Sequence, residues 1–262
     1  MIRRPTGGLR TARPNLLVVV IGLWMCCAND RANGQVRLDT LTWTDSLRHR
    51  AIPVAFYHVH GDTKGLPVVL FSHGYNGNRP GAYLRYGHLA TAMALAGWFV
   101  VSVQHELPTD EPLPLTGVAQ VVRRPSWERG VADLLFVRDQ LRRTRPELDL
   151  ERLTVMGHSQ GGDISMLFAE LHPDHVERVL SLDNRRMPLP RTREPQVCSI
   201  RSSDQPADEG VLPSTEEARD LDMRVRMSSV PHNAMDDGAS PEQREELTEL
   251  IKELLRNEAS AR

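Results

Sequence analysis

Gly157-His158-Ser159-Gln160-Gly161, with a further glycine at 162, places a serine two residues from a glycine on either side. Leu153-Thr154-Val155-Met156 before it is apolar and β-rich, and the stretch after it has helical composition. A serine on a sharp turn between a strand and a helix is presented for nucleophilic attack, and small neighbours allow so tight a turn. The helix that follows offers free N–H groups and the positive end of its dipole to developing negative charge. A second glycine site lies in Val69-Leu70-Phe71-Ser72-His73-Gly74-Tyr75. Gly74, just past a predicted strand, allows the backbone to approach a ligand. The backbone N–H groups of Tyr75 and Gln160 are then the expected oxyanion hole.

These groups need a scaffold, and the chain beyond residue 35 alternates strand and helix signals. Strands are expected at 51–59, 67–72, 98–103, 152–156, 176–182, 196–200 and 224–228. Helices are expected at 83–96, 127–142, 159–171 and 242–255. Short apolar strands between helices imply a mostly parallel sheet covered on both faces. No linker divides this region, so residues 35–262 read as one domain. The stretch 106–125 has four prolines and no helix signal over most of its length. A loop that long in a compact domain is usually functional.

The strand, His-Gly loop, serine turn, late acid and last-strand histidine together resemble the α/β-hydrolase superfamily, from about residue 40 to 256. The resemblance implies an α/β fold with an eight-stranded, mostly parallel sheet and a Ser–acid–His triad, like the compact esterase and lipase-like members. His232 lies after the last strand and before the last helix, where the base is expected. His158, beside the serine, is expected to pack or line the substrate site rather than act as base. Because the family places the acid after the penultimate strand, Asp204 is favoured; Asp208 and Asp183 are the alternatives. Gly74, His158 and His105 are the expected substrate-contacting residues, His105 because Gln104-His105-Glu106 ends a strand at the catalytic edge; capping that strand is its other reading. Only residues 184–195 separate two strands where a lid is usually inserted, so no large lid domain is expected.

Two other patterns compete for attention. His58-Val59-His60-Gly61-Asp62-Thr63 resembles the opening of the H-x-H-x-D-H zinc motif, but Thr63 stands where the last histidine should be. Arg123-Arg124, and Arg185, Arg186, Arg191 and Arg193, form basic clusters. A charge run is usually a solvated face; the alternative is recognition of a substrate carboxylate or phosphate.

The 262-residue chain is 40% hydrophobic and 25% charged, with a formal net charge of −2. That composition is globular, and no basic field is present to recruit nucleic acid. Arg3, Arg4, Arg10 and Arg13 precede an apolar run, Leu16–Ala28, which reads as a secretory signal with cleavage after Ala28 or Gly34. Removing either segment, a net +4, leaves −6. Thirteen residues are short for a bilayer span, so no stable membrane span is expected after cleavage; an uncleaved anchor is the alternative. Cys198 would be the one cysteine left in the mature chain, which excludes an internal disulfide. The expected function is a secreted or periplasmic serine hydrolase acting on a small-molecule carboxylic ester, needing no metal or organic cofactor. An aminopeptidase, thioesterase or lactonase on the same fold is the alternative, as is a hydrolase-like binding protein without turnover.

Overall fold

Eight strands pair into one sheet in the computed structural model, which describes Met1 and residues 34–255. The chain divides into two units, Met1–Asn33 and Gly34–Arg262. The apolar run at 16–28, with both proposed cleavage sites' upstream sequence, lies outside the described residues.

The strands are β1 (Val36–Asp45), β2 (Arg50–Val59), β3 (Pro67–Ser72), β4 (Phe99–Val103), β5 (Asp149–His158), β6 (Arg178–Leu182), β7 (Gln196–Arg201) and β8 (Arg224–Met227). Their spatial order is β1-β2-β4-β3-β5-β6-β7-β8. β1 and β2 run antiparallel to their neighbours, and β3 to β8 are parallel. β3, β4 and β6 are buried almost throughout, as strands covered on both faces must be.

Between and after them the described residues form the α-helices α1 (Gly87–Leu95), α2 (Ala119–Val122), α3 (Arg124–Thr144), α4 (Gln160–Leu171), α5 (Thr215–Asp220) and α6 (Pro241–Leu255). One face of the sheet is filled by Trp127, Val131, Leu134 and Leu141 of α3 with Ile164 and Phe168 of α4. The other face packs Leu89 and Met93 of α1 against Leu247, Ile251 and Leu254 of α6. Each such side chain, fully buried, contributes about 1.5–3 kcal/mol against solvent exposure. Gly97, at φ 98°, ends the turn after α1 and starts the chain back toward β4.

β1 was not among the expected strands. Its leucines at 38 and 41 are exposed at the sheet edge, so the run carries no buried apolar pattern to read. The segment between β6 and β7 contains no helix, so no large lid covers the sheet. The proline-rich stretch contributes only the four-residue α2.

Candidate active site

The carboxyl ends of the parallel strands gather the chemical groups, as in open α/β sheets generally. β5 ends at His158, and Ser159 turns the chain into α4 with φ 53° and ψ −118°, a strained position for a residue with a side chain. The glycines make that turn possible by contact. A Cβ on Gly161 would lie 2.1 Å from the Ser72 carbonyl oxygen, and one on Gly157 would lie 2.3 Å from that of Gly161. Both neighbours are backbone, which cannot swing aside. Gln160 is the first residue of α4, so its N–H has no partner within the helix.

The Ser159 hydroxyl donates to Nε2 of His232 at 3.0 Å. The Nδ1–H of His232 donates to the Asp183 carboxylate at 2.5 Å. Asp183 directly follows β6 and is completely buried. Burial works against its ionisation, but the His232 hydrogen bond, the Ser202 N–H and the Arg201 charge outweigh it and hold the carboxyl below the usual range. Arg201 Nη2 is 2.7 Å away, and the Ser202 N–H donates at 3.0 Å. The second oxygen is thereby occupied, which aims the first at the imidazole.

The favoured acid, Asp204, stands elsewhere. Its carboxylate accepts the backbone N–H of His232 at 2.7 Å and does not take the ring proton. It holds the loop that carries the imidazole. Asp208 is farther still, ion-paired with Arg186. The loop after β7 runs past the histidine's main chain, whereas β6, beside the serine-bearing β5, ends directly under the ring. Arg201, buried beside Asp183, requires a buried acid, but its burial is visible only in the fold.

His158 packs on His232 with ring centroids 4.7 Å apart. Burial, and then the neighbouring His232, lower its pKa to about 3, so it is neutral. The Tyr86 hydroxyl accepts the Gly74 N–H at 3.1 Å and donates to His158 Nδ1 at 2.8 Å. That arrangement takes up the Gly74 N–H and leaves Tyr75 as the next backbone donor in the loop. The space is tight: a Cβ on Gly74 would come within 2.8 Å of His158 Nδ1.

His105 does not reach the substrate side. It is 3% exposed, with Nε2 at 2.8 Å from the Ser72 hydroxyl and Nδ1 at 3.7 Å from Asp133. Ser72, His105 and Asp133 repeat the residue types of the outer site, but all are sealed in the core and no solute reaches them. Asp133 also receives Arg48 and Arg50, and Arg50 reaches on to Asp110 with a bond at 2.7 Å. Among the described residues, no group of three or more metal-binding side chains gathers around His58 and His60; His58 stacks on Phe99.

Two cavities meet at Ser159. One, of 300 Å³, is lined by His232, Asn233, Asp236, Arg85, Gly74 and His158. The other, of 190 Å³, is lined by Tyr75, Gln160, Leu113 and Leu115 with Arg123, Arg185, Arg186 and Asp163. The proline-rich loop supplies Leu113 and Leu115 and is fastened by Asp110, which accepts the Leu107 N–H, and by a bond from the Leu113 N–H to the Tyr75 hydroxyl. Arg185 and Arg186, expected on a solvated face, are half-buried here.

A family model described as the alpha/beta hydrolase fold matches residues 67–199, from β3 through most of β7 and across the serine turn. The chain belongs to the α/β-hydrolase family. This α/β hydrolase is 35% identical over 113 residues to the "probable 1-alkyl-2-acetylglycerophosphocholine esterase" of Arthroderma benhamiae, a match covering 39% of the chain and 27% of that protein. It is 28% identical over 182 residues to the sn-1-specific diacylglycerol lipase ABHD11 of Mus musculus, covering 69% of the chain and 48% of that protein. The chain thus spans less than half the length of either relative. A fungal esterase structure from Rhizomucor miehei superposes with a TM-score of 0.61 at 14% identity, covering 86% of this chain and 83% of that one. At that identity the likeness is one of fold. Among the described residues of this α/β hydrolase, no helix is long and apolar enough to cross a membrane.

Proposed function

We propose that this α/β hydrolase cleaves carboxylic esters through an acyl-enzyme on Ser159. The observation that carries the reading is the unbroken run from the Ser159 hydroxyl to His232 to Asp183, ending at the junction of two open cavities. Ser159 Oγ attacks the ester carbonyl while its proton passes to His232 Nε2. The carbonyl oxygen becomes an oxyanion, held by the N–H groups of Tyr75 and Gln160. As the carbonyl re-forms, the C–O bond to the alcohol breaks and His232 returns the proton to that oxygen. Water then enters, gives a proton to His232, and attacks the acyl carbon; the carboxylic acid leaves and Ser159 recovers its proton. Asp183 fixes the imidazole tautomer and steadies the imidazolium.

The basic N-terminus followed by a short apolar run supports a secreted or periplasmic workplace. N-terminal sequencing of the exported protein tests it, with an intact residue 1 as the contrary result.

A fluorophosphonate probe and 4-nitrophenyl acetate test the chemistry. The wild type should turn over the ester and carry the probe on Ser159. Ser159→Ala should lose both while keeping its circular dichroism spectrum. Equal labelling of the wild type and Ser159→Ala, or ester turnover within tenfold of wild type in the variant, refutes the reading. A folded wild type that neither labels nor turns over any ester is a binding protein.

A further inference from the structure

The two cavities at Ser159 differ in charge. His232 must hand its proton to the departing alcohol oxygen, so the alcohol side of an ester lies in the cavity that contains His232. The acyl side is left with the 190 Å³ cavity beyond Gln160. In the alcohol cavity the one guanidinium, Arg85, is spoken for by Asp236 and Asn76 at 2.5 and 2.8 Å. The acyl cavity has three guanidinium groups and a single carboxylate, Asp163, on its walls.

Those three are poorly neutralised. The Arg185 side chain makes no hydrogen bond or ion pair with any described residue. Arg123 is bonded through Nε to the neutral Pro114 carbonyl at 3.0 Å. Arg186 is paired with Asp208 through Nη1, while its buried Nε has no partner among the described residues. Asp163, fully buried, spends one oxygen on the N–H groups of Arg186 and Met187, at 3.1 and 2.9 Å. The cost of the arrangement shows at Arg123, whose proton is loosened by burial first and then by the charges of Arg186 and Arg185. A half-buried set of like charges with unused donors is a receptor for an anion, and the planar fork of arginine suits a carboxylate.

We propose that the acyl group of the natural substrate ends in an anion, so that the enzyme hydrolyses half-esters of short dicarboxylic acids, with Arg185, Arg123 and Arg186 gripping the distal carboxylate. The inference rests on the acyl-enzyme reading for its orientation. The free carboxylate stays outside the reaction: it changes no bond, and it places the ester carbonyl over Ser159 Oγ.

The test compares 4-methylumbelliferyl hemiglutarate with the glutaramate ester, which has the same shape and no charge. The wild type should prefer the hemiglutarate at least tenfold in kcat/KM, chiefly through KM, with a preference that shrinks as salt rises. In Arg185→Gln, and further in Arg185→Gln with Arg123→Gln, the ratio should fall toward one. A ratio taken within one variant cancels any loss common to both substrates. Equal rates in the wild type, or a preference that survives both substitutions, overturns the proposal. So does a preference for 4-acetoxybenzoate over 4-acetoxybenzamide that exceeds the glutarate ratio, since it puts the anion on the alcohol side. Glutarate binding to Ser159→Ala, read by calorimetry against glutaramide, keeps the question separate from turnover. Binding of glutarate that the arginine substitutions abolish supports the anion site even where no ester is cleaved; no difference between the two ligands refutes it.

Discussion

Replacing Asp183 by asparagine removes one negative charge from a fully buried position and keeps the side-chain shape. The native Oδ2 accepts the His232 Nδ1–H at 2.5 Å, and Oδ1 faces Arg201 at 2.7 Å and the Ser202 N–H. An asparagine that keeps its oxygen on Arg201 and Ser202 must turn its NH2 toward Nδ1. The imidazole then accepts at Nδ1 and carries its proton on Nε2, so it can no longer take one from Ser159. The corresponding change in serine proteases costs about 10⁴ in kcat, which is about 5.5 kcal/mol of transition-state stabilisation. Arg201 also loses its buried counter-charge, a loss of about 3–5 kcal/mol in stability, or roughly 10 °C in Tm for a chain of this size. Asp204→Asn is the control. Its carbonyl oxygen still accepts the His232 N–H, and only the charge assistance, on the order of 1 kcal/mol, is lost. Rates on 4-nitrophenyl acetate, measured well below the Tm of each variant as read by circular dichroism, should fall about 10⁴-fold for Asp183→Asn and less than tenfold for Asp204→Asn. If folded Asp204→Asn proves the slower of the two, the assignment of Asp183 is wrong.

Activity should decline as the acyl chain of a neutral ester grows from acetyl to palmitoyl, because the 190 Å³ acyl cavity is small and charged and no lid adds apolar surface. A preference for palmitoyl esters, or a sharp rise at an emulsion surface, contradicts this. Glu106 should make the fold sensitive to alkali: it is 2% exposed, and burial lifts its carboxyl to about 7 against the opposing Asn76 and Asn78 N–H groups and the Arg129 charge, with Asp110 adding to the rise. Its folded pKa lies above the unfolded one, so stability is full below about 4.5 and is lost as pH climbs through about 7, by about 3 kcal/mol in the limit. Glu106→Gln, which still accepts the Asn76 N–H, should gain Tm over the wild type between pH 5 and pH 8; a gap in Tm that does not change with pH refutes this.

What could be read without coordinates was the local and the sequential. The strand-turn-helix around Ser159 is written in consecutive residues, and His232 is found by being the histidine between the last strand and the last helix. Asp183 is a question of which strand ends lie side by side, and it follows β6 whereas the superfamily pattern pointed past β7. The same limit applies to the arginines. Arg185 and Arg186 stand out as a run, but the cavity they line is completed by Arg123, some sixty residues earlier, and by leucines of a loop whose path no periodicity describes. β1 escaped because an exposed edge strand has little apolar alternation to betray it. His105 was misplaced because a strand end at the right edge of the sheet can point inward as readily as outward, and here it faces Ser72.

The loop that carries Leu113 and Leu115 to the acyl cavity is moored at Asp110, and the mooring post is Arg50, the first residue of β2, which is itself bonded to the buried Asp133. On the proposed acyl-enzyme reading, the shape of the acyl pocket is then set in part from a distance. A library confined to residues around Ser159 would leave that post untouched, while drift at positions 48, 50 or 133, none of which lines either cavity, would re-seat the loop and redraw the acyl pocket with the catalytic groups left in place. For anyone seeking new specificities from this scaffold, the buried ionic cluster is where shape can be tuned separately from chemistry.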